Sequence, residues 1–335
     1  MFNKVYVKIK NYLKQNIKFI IILLFIFFVM TFELPYYINT PGGLIDVSKR
    51  ISIEDSYQVE GSFNLAYVSE FKATLPTLFW AYIDKDWDIL KKEEVLNNET
   101  LKEIDFRNHL MLTEANQNAV YVGFNKALEY TKITNQKVFV VYIDNQAKTD
   151  LKIGDEILKI NNEKITSKQD VYKILKKYKK DDVVNLTVLR DNKEVSTTGT
   201  LFEYYDNLII GLVLCETKDI DTNKDVNFSF KASESGPSGG FMMALSIYNY
   251  LTPNDITNGK KIVGTGTIDE FGNVGSIGGI EYKIKAAAHK KADVFFAPAG
   301  ANYETALKEV QENKLDIELI AVNHIDDAIA YLNKK

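Results

Sequence analysis

A single cysteine, Cys215, stands in the 335 residues, so no internal disulfide can form and no zinc site can be built on cysteines. It lies in the apolar run 209–215, where a small buried hydrophobe is the expected role. Histidine is nearly as scarce, with only His109, His289 and His324. No His-Glu-x-x-His sequence occurs, which removes a common zinc-peptidase arrangement. A Ser-His-Asp triad would need one of those histidines with an acidic residue in register, and none is evident. There is no Gly-x-x-x-x-Gly-Lys-[Ser/Thr] sequence and hence no P-loop for ATP. Basic blocks are absent beyond the N-terminus, and the net charge is −4, so nucleic acid is not an expected partner. Asp219-x-Asp221-x-Asn223-x-Asp225 begins like a calcium loop. It lacks the glycine at its sixth position and has Phe230 at its twelfth, so it reads as a surface turn. No cofactor and no metal is expected.

Long apolar runs are missing too, with one exception. Residues 19–32 carry no charge, and the apolar character extends over about 17–37, with Lys18 and Glu33 near its ends. Roughly twenty helical residues cross a ~30 Å hydrocarbon layer, a length reached here if both charges snorkel. Lys4, Lys8, Lys10, Lys14 and Lys18 occur with no acidic residue among them, which predicts a cytoplasmic N-terminus and a chain outside the membrane after Pro35. The competing reading is a cleavable signal peptide. That would have a shorter apolar region followed by small residues, whereas Glu33-Leu-Pro-Tyr-Tyr37 follows here. The expectation is an uncleaved single-pass transmembrane helix over 16–37, with 1–15 cytoplasmic and the rest of the chain extracellular.

What is present supports real cores: 46% of the residues are hydrophobic, enough for two domains. In 38–118 the sequence predicts a turn at Asn39-Thr-Pro-Gly-Gly43, a strand over 62–69 and an aromatic-rich, partly helical stretch over 73–89. Trp80 and Trp87 are available there for packing or for a membrane surface. A charged, solvated helix or loop over 91–108 follows. Residues 119–203 have a different pattern. A strand (137–143) is followed by a short strand and turn (153–165), then by a helix from Ser167 with Val171, Ile174, Leu175 and Tyr178 at helical spacing. A strand (183–190) and a hairpin turn close the block. Leu151-Lys-Ile-Gly154-Asp155-Glu-Ile157-Leu-Lys-Ile160-Asn161-Asn162 is similar to the Leu-x-x-Gly-Asp-x-Ile-x-x-Ile-Asn-Gly core of the PDZ domains attached to bacterial proteases. Asn162 replaces the usual glycine, which a left-handed turn tolerates. Asn145-Gln-Ala147 stands where such domains usually have Ser-Pro-Ala. The resemblance implies capture of an extended peptide by strand addition beside the 167–178 helix, with a mere structural spacer as the alternative.

Residues 204–335 alternate strands (208–215, 226–231, 261–268, 294–297, 317–322) with helices after Ser238, through 283–291 and near 325–333, as in an α/β or α+β domain. In Glu234-Ser-Gly-Pro-Ser238-Gly-Gly240 a serine sits on a tight turn at the mouth of an apolar helix. Unpaired N–H groups there can hold an oxyanion, although such a serine is often only a helix cap. Lys283, in Gly278-Gly-Ile-Glu-Tyr-Lys283, lies near the start of a second helix in a position that turns it inward. Lys285 falls on the opposite side and reads as solvated. A buried lysine has a depressed pKa, which makes its neutral amine available as a general base.

Gly236-Pro237-Ser238-Gly239-Gly240 resembles the Gly-Pro-Ser-Ala-Gly motif of Lon-type proteases, with Gly239 in place of Ala. Thr265-Gly-Thr-Ile and Ile277-Gly-Gly279-x-x-x-Lys283 resemble the segment that carries their catalytic lysine. With the PDZ block and the apolar N-terminus, nearly the whole chain is similar to the membrane-anchored, PDZ-containing Lon-like serine proteases of Gram-positive bacteria. The resemblance implies an α+β fold with a PDZ-like domain inserted before a Lon-type proteolytic domain. Residues 38–118 would then pack in part with 204–335. It implies Ser238 as nucleophile, Lys283 as general base and acid, and Thr265 as the residue orienting the lysine, with Gly236, Pro237 and Gly239 shaping the serine turn. An acidic residue stands three before the serine in Lon proper, where this chain has Ser235 and, one step further, Glu234. The expected function is an ATP-independent, membrane-anchored serine endopeptidase acting on extracellular peptides or exposed segments of secreted proteins. The alternative is a catalytically silent, membrane-tethered peptide-binding scaffold.

Overall fold

The computed structural model describes residues 2–205 and 207–334; Met1, Asp206 and Lys335, which belong to the expected first and last segments, lie outside the described residues. Helices and strands are mixed, and the chain divides into two compact units, residues 1–42 with 68–98 and residues 43–67 with 99–335.

In the first unit, helices Phe2–Gln15 and Ile17–Thr31 meet at Asn16. No single helix among the described residues is long and apolar enough to cross a membrane. Val5–Gln15 and Ile17–Thr31 meet that condition only together, as a pair bent by 72°. This corrects the continuous helix expected over 16–37. The apolar helix stops at Thr31, because Pro35 disfavours helical geometry at Leu34, and Tyr36–Asp46 is a strand. The turn expected at 39–43 lies inside that strand. Pro41 is tolerated because pairing with Asp88–Lys91 ends at Asn39↔Asp88, so its missing N–H interrupts nothing on that side. Helix Leu75–Ile83 starts with Pro76 in its first turn and a capping box between Thr74 and Thr77, whose hydroxyl accepts from Thr74 N at 2.8 Å. Its Leu78 and Ala81 pack with Ile38, Phe71, Ala73 and Trp87.

The second unit contains a parallel sheet and an antiparallel one. In the parallel sheet, Glu318–Val322, Val294–Pro298 and Lys261–Gly264 lie side by side, and Lys261–Gly264 also pairs with residues 62–65. Its two faces are both covered, which is why Val294-Phe-Phe-Ala-Pro298 is apolar without alternation. Val263, Phe295 and Ala297 face helices Ile280–His289 and Ala301–Asn313, while Ile262, Val294 and Phe296 face the helices Leu101–Lys126, Gly240–Leu251 and Ile325–Asn333. Helix Leu101–Lys126 is a single 26-residue element, capped by Thr100 and Glu103, that runs without a break past residue 118. Gly123 lets it approach helix Gly240–Leu251, since a Cβ there would lie 2.5 Å from Ile247 Cγ2.

The antiparallel sheet has the order Leu212–Thr222, Thr131–Ile143, Glu156–Ile160, Val183–Arg190, Lys193–Thr200. Helix Lys168–Leu175 packs on it through Val171, Ile174 and Leu175, capped by Ser167 and Asp170 as the spacing predicts. Asn161 and Asn162 are left-handed (φ 45° and 69°), as are Asp191 and Asn192 of the hairpin turn (φ 49° and 61°). Asp155, of the Gly-Asp pair, is buried and accepts two bonds from Arg190, at 2.7 and 2.6 Å. The sheet ends on Leu212–Thr222, a strand from beyond residue 203. Asp219 and Asp221 therefore belong to a strand, not to a surface turn, and no cluster of three or more metal-ligating side chains exists among the described residues.

That edge strand is also stitched to the parallel-sheet half of the unit. Lys218, buried, pairs with Glu216 at 2.9 Å and Glu270 at 3.4 Å, and its Nζ donates to Asn118 Oδ1 at 3.0 Å. Asn118 Nδ2 in turn donates to the carbonyl of Ile268 at 2.9 Å.

Candidate active site

Ser238 sits in the short 3₁₀ turn Pro237–Gly239 that leads into helix Gly240–Leu251. Gly236 before it has φ 95°, open only to glycine without strain, and its N–H donates to the carbonyl of Asn108 at 3.0 Å. Gly239 approaches Leu65 closely: a Cβ there would lie 2.9 Å from Leu65 Cδ1, the movable end of a side chain. The turn is braced by Glu234, which accepts from Arg50 Nε at 2.6 Å and from the terminal guanidinium nitrogen at 2.7 Å, and also from Lys231 N at 3.0 Å. The Arg50 hydrogen bonds hold the Glu234 carboxyl below its ordinary pKa.

Lys283 is on the first turn of helix Ile280–His289, where Gly279 supplies a left-handed start (φ 69°). Tyr282, Lys283 and Ile284 are all buried there, and Lys283 is 4% exposed. Burial lowers its pKa to about 8, with the Glu281 carboxylate opposing part of that shift. Lys285 is not solvated as its position suggested. It lies largely buried and pairs with Glu309 at 2.9 Å, on a helix, Ala301–Asn313, that the sequence pattern did not reveal.

Thr265 joins the two segments. It is fully buried at the end of strand Lys261–Gly264, and its hydroxyl accepts from Lys283 Nζ at 3.2 Å while donating to the Ser238 carbonyl at 3.0 Å. Gly266 N donates to the same carbonyl at 2.8 Å, and Phe241 N to the Gly266 carbonyl at 3.1 Å. The serine turn is thus fastened to the strand that orients the lysine. The structure brings Ser238, Thr265 and Lys283 together with Gly236, Pro237 and Gly239. Ser238 Oγ makes no direct hydrogen bond to Lys283 Nζ among the described residues; the link runs through Thr265. Two of the three histidines have other partners: His109 pairs with Asp105, and His324 Nε2 bonds the Phe271 carbonyl. Sequence reasoning missed Arg50 and Asn108. Only the unmatched acid Glu234 hinted at the first.

A serine on a glycine-rich turn and a desolvated lysine are thus joined through one hydroxyl, which accepts from the lysine amine and donates to the serine's main-chain carbonyl. Comparison with known proteins identifies two domains in the chain. Residues 115–201 match the PDZ domain family and residues 225–334 match the Lon protease (S16) C-terminal proteolytic domain. The chain carries these two domains in that order. Among curated proteins it is similar to the Lon protease of Campylobacter concisus, 26% identical over 212 residues, which cover 62% of this chain and 24% of that relative. The match therefore spans about a quarter of the relative's length. Similar solved structures include the PDZ domain of the SdrC-like protein of Listeria monocytogenes (21% identity, 25% of this chain, 92% of that one, TM-score 0.23). A second is the corresponding domain of Listeria innocua (21% identity, 23% of this chain, 92% of that one, TM-score 0.22).

Proposed function

We propose that the protein is a serine endopeptidase in which Ser238 attacks the peptide carbonyl and Lys283 acts as general base and then general acid. The carrying observation is the buried amine of Lys283 held by Thr265, whose hydroxyl also fastens the Ser238 turn. Burial leaves a useful fraction of that amine neutral near physiological pH, so it can take the serine proton. The protonated lysine then returns the proton to the leaving amine, and water repeats the cycle on the acyl-enzyme. The Ser238 and Gly239 N–H groups supply the oxyanion site, since Pro237 has none and that of Gly236 is taken by the Asn108 carbonyl.

The chain contains no P-loop sequence, which favours substrates that are already unfolded, and activity indifferent to ATP. Peptide capture by the PDZ domain is part of the reading. Leu212–Thr222 ends its sheet and lies against helix Lys168–Leu175; helix Leu101–Lys126 takes its edge at Lys218, whose N–H donates to Gln117 Oε1 at 2.8 Å, so the start of the strand is where an extended peptide can add. The bent pair Val5–Gln15 and Ile17–Thr31, with its lysines towards the N-terminus, supports a membrane anchor with the catalytic domain outside the cell.

The test uses an unstructured protein as substrate. Ser238→Ala and Lys283→Ala should each lower cleavage by about three orders of magnitude or more while circular dichroism stays unchanged. Cleavage by both variants at the native rate would sink the dyad. A native chain that binds peptides but cuts none would favour the silent scaffold.

A further inference from the structure

Helix Leu75–Ile83 contains no charged residue and is apolar on two faces. Leu78 and Ala81 fill the small core of the first unit, whereas Leu75, Phe79, Tyr82 and Ile83, spaced i, i+4, i+7, i+8, form a second stripe turned to the outside. Exposure is large for such side chains: 69% for Phe79, 87% for Tyr82, 64% for Ile83, and 52% for the adjacent Trp80. A stripe of this kind on one short helix is out of place in water.

Its position supplies the occupant. The chain leaving the apolar helix Ile17–Thr31 is hydrogen bonded to the residue just before the capping box. Leu34 N donates to the Ala73 carbonyl at 2.8 Å, and Ala73 N donates to the Tyr36 carbonyl at 2.9 Å. Lys72 pairs with Glu33 at 2.6 Å across the same junction, and helices Ile17–Thr31 and Leu75–Ile83 are in contact. The apolar helix has no buried residue, so its own surroundings must be apolar. On the membrane-anchored reading, lipid around it also reaches the neighbouring helix that it touches.

We propose that helix Leu75–Ile83 is an interfacial membrane helix, lying on the outer bilayer surface with Phe79, Tyr82 and Ile83 in the boundary between headgroups and acyl chains. Trp80 sits beside them as an aromatic anchor. The inference rests on the membrane-anchored reading. It adds a second contact with lipid, one that fixes how the first unit stands on the surface.

Trp80 and Trp87 are the only two tryptophans, so the full-length Trp87→Phe chain reports on Trp80 alone. That chain is reconstituted into phosphatidylcholine–phosphatidylglycerol vesicles and floated on a density gradient. Its emission is then read with lipids brominated at different depths. The expected result is flotation with the vesicles and quenching that is strongest for bromines close to the headgroups. Phe79→Ser with Tyr82→Ser, both on the exposed stripe, should abolish the quenching and leave flotation intact. A chain that does not float overturns the anchor and this proposal together. Flotation with Trp80 open to aqueous iodide and untouched by bromine overturns the interfacial helix alone. So does Trp80 shielded from both quenchers, which assigns the stripe to a protein partner. The Trp80→Phe chain, in which Trp87 packs edge-on against Phe71 at 5.7 Å, is the control that must show no bromine quenching.

Discussion

Burial lowers the pKa of Lys283 to about 8, so at pH 7 only about a tenth of its amine is in the neutral form that can accept a proton. The kcat/KM for a short peptide should therefore rise with pH through an inflection near that value. Glu281 holds the lysine pKa up, so Glu281→Gln should move the inflection to lower pH; an unmoved inflection would assign the titration to another group. The same burial opposes folding. The unfolded chain binds the lysine proton up to its ordinary pKa of 10.5 and the folded chain only up to about 8, so stability should rise with pH between those values. Lys283→Met should then stabilise the protein near neutrality by about 3 kcal/mol and flatten that rise, as followed by denaturant melts at several pH values. Thr265→Val removes the hydroxyl that serves both segments and should cost roughly tenfold or more in kcat with little change in KM, whereas Thr265→Ser should keep most of the rate. Helical spacing made the inward turn of Lys283 legible in the sequence. Arg50 was not legible, because it reaches Glu234 from 184 residues away and no local pattern records such a pair.

Elements with a strong local signal were readable. Helix Lys168–Leu175 carries its own cap, and the segment after Ser238 is apolar nearly all round because helix Gly240–Leu251 is enclosed. Helix Ala301–Asn313 was hidden by its sparse pattern, with only Ala306 fully buried. The strand Tyr36–Asp46 was masked by its aromatic start, which extends the composition of the preceding apolar run. Strand Leu212–Thr222 shows what pattern alone cannot give. It carries a buried lysine whose partners, Asn118 and Glu270, lie in distant segments. Lys218→Ala would leave Glu216 buried without its cation and should cost about 3–5 kcal/mol in a thermal or denaturant melt. Lys218→Met combined with Glu216→Gln should recover part of that loss, since the buried unpaired charge is removed with the lysine. A single-variant loss below about 1 kcal/mol would mean that water reaches the pair.

At the scale of the molecule, the order of domains followed from two short motifs, while the way they are joined did not. The antiparallel sheet is entered from helix Leu101–Lys126, whose other residues belong to the protease core. It is closed by Leu212–Thr222, pinned through Lys218 to Asn118 and Glu270. Neither junction is a flexible tether. A sheet held this way cannot swing to meet the serine; the substrate must cover the distance. If a chain end is gripped along the start of Leu212–Thr222, the stretch between grip and scissile bond acts as a measuring tape of fixed length. Products mapped by mass spectrometry should then cluster at one spacing from the captured end, and lengthening the substrate beyond the first cut should leave that spacing unchanged. Products scattered at random distances would mean that the grip and the blade work independently.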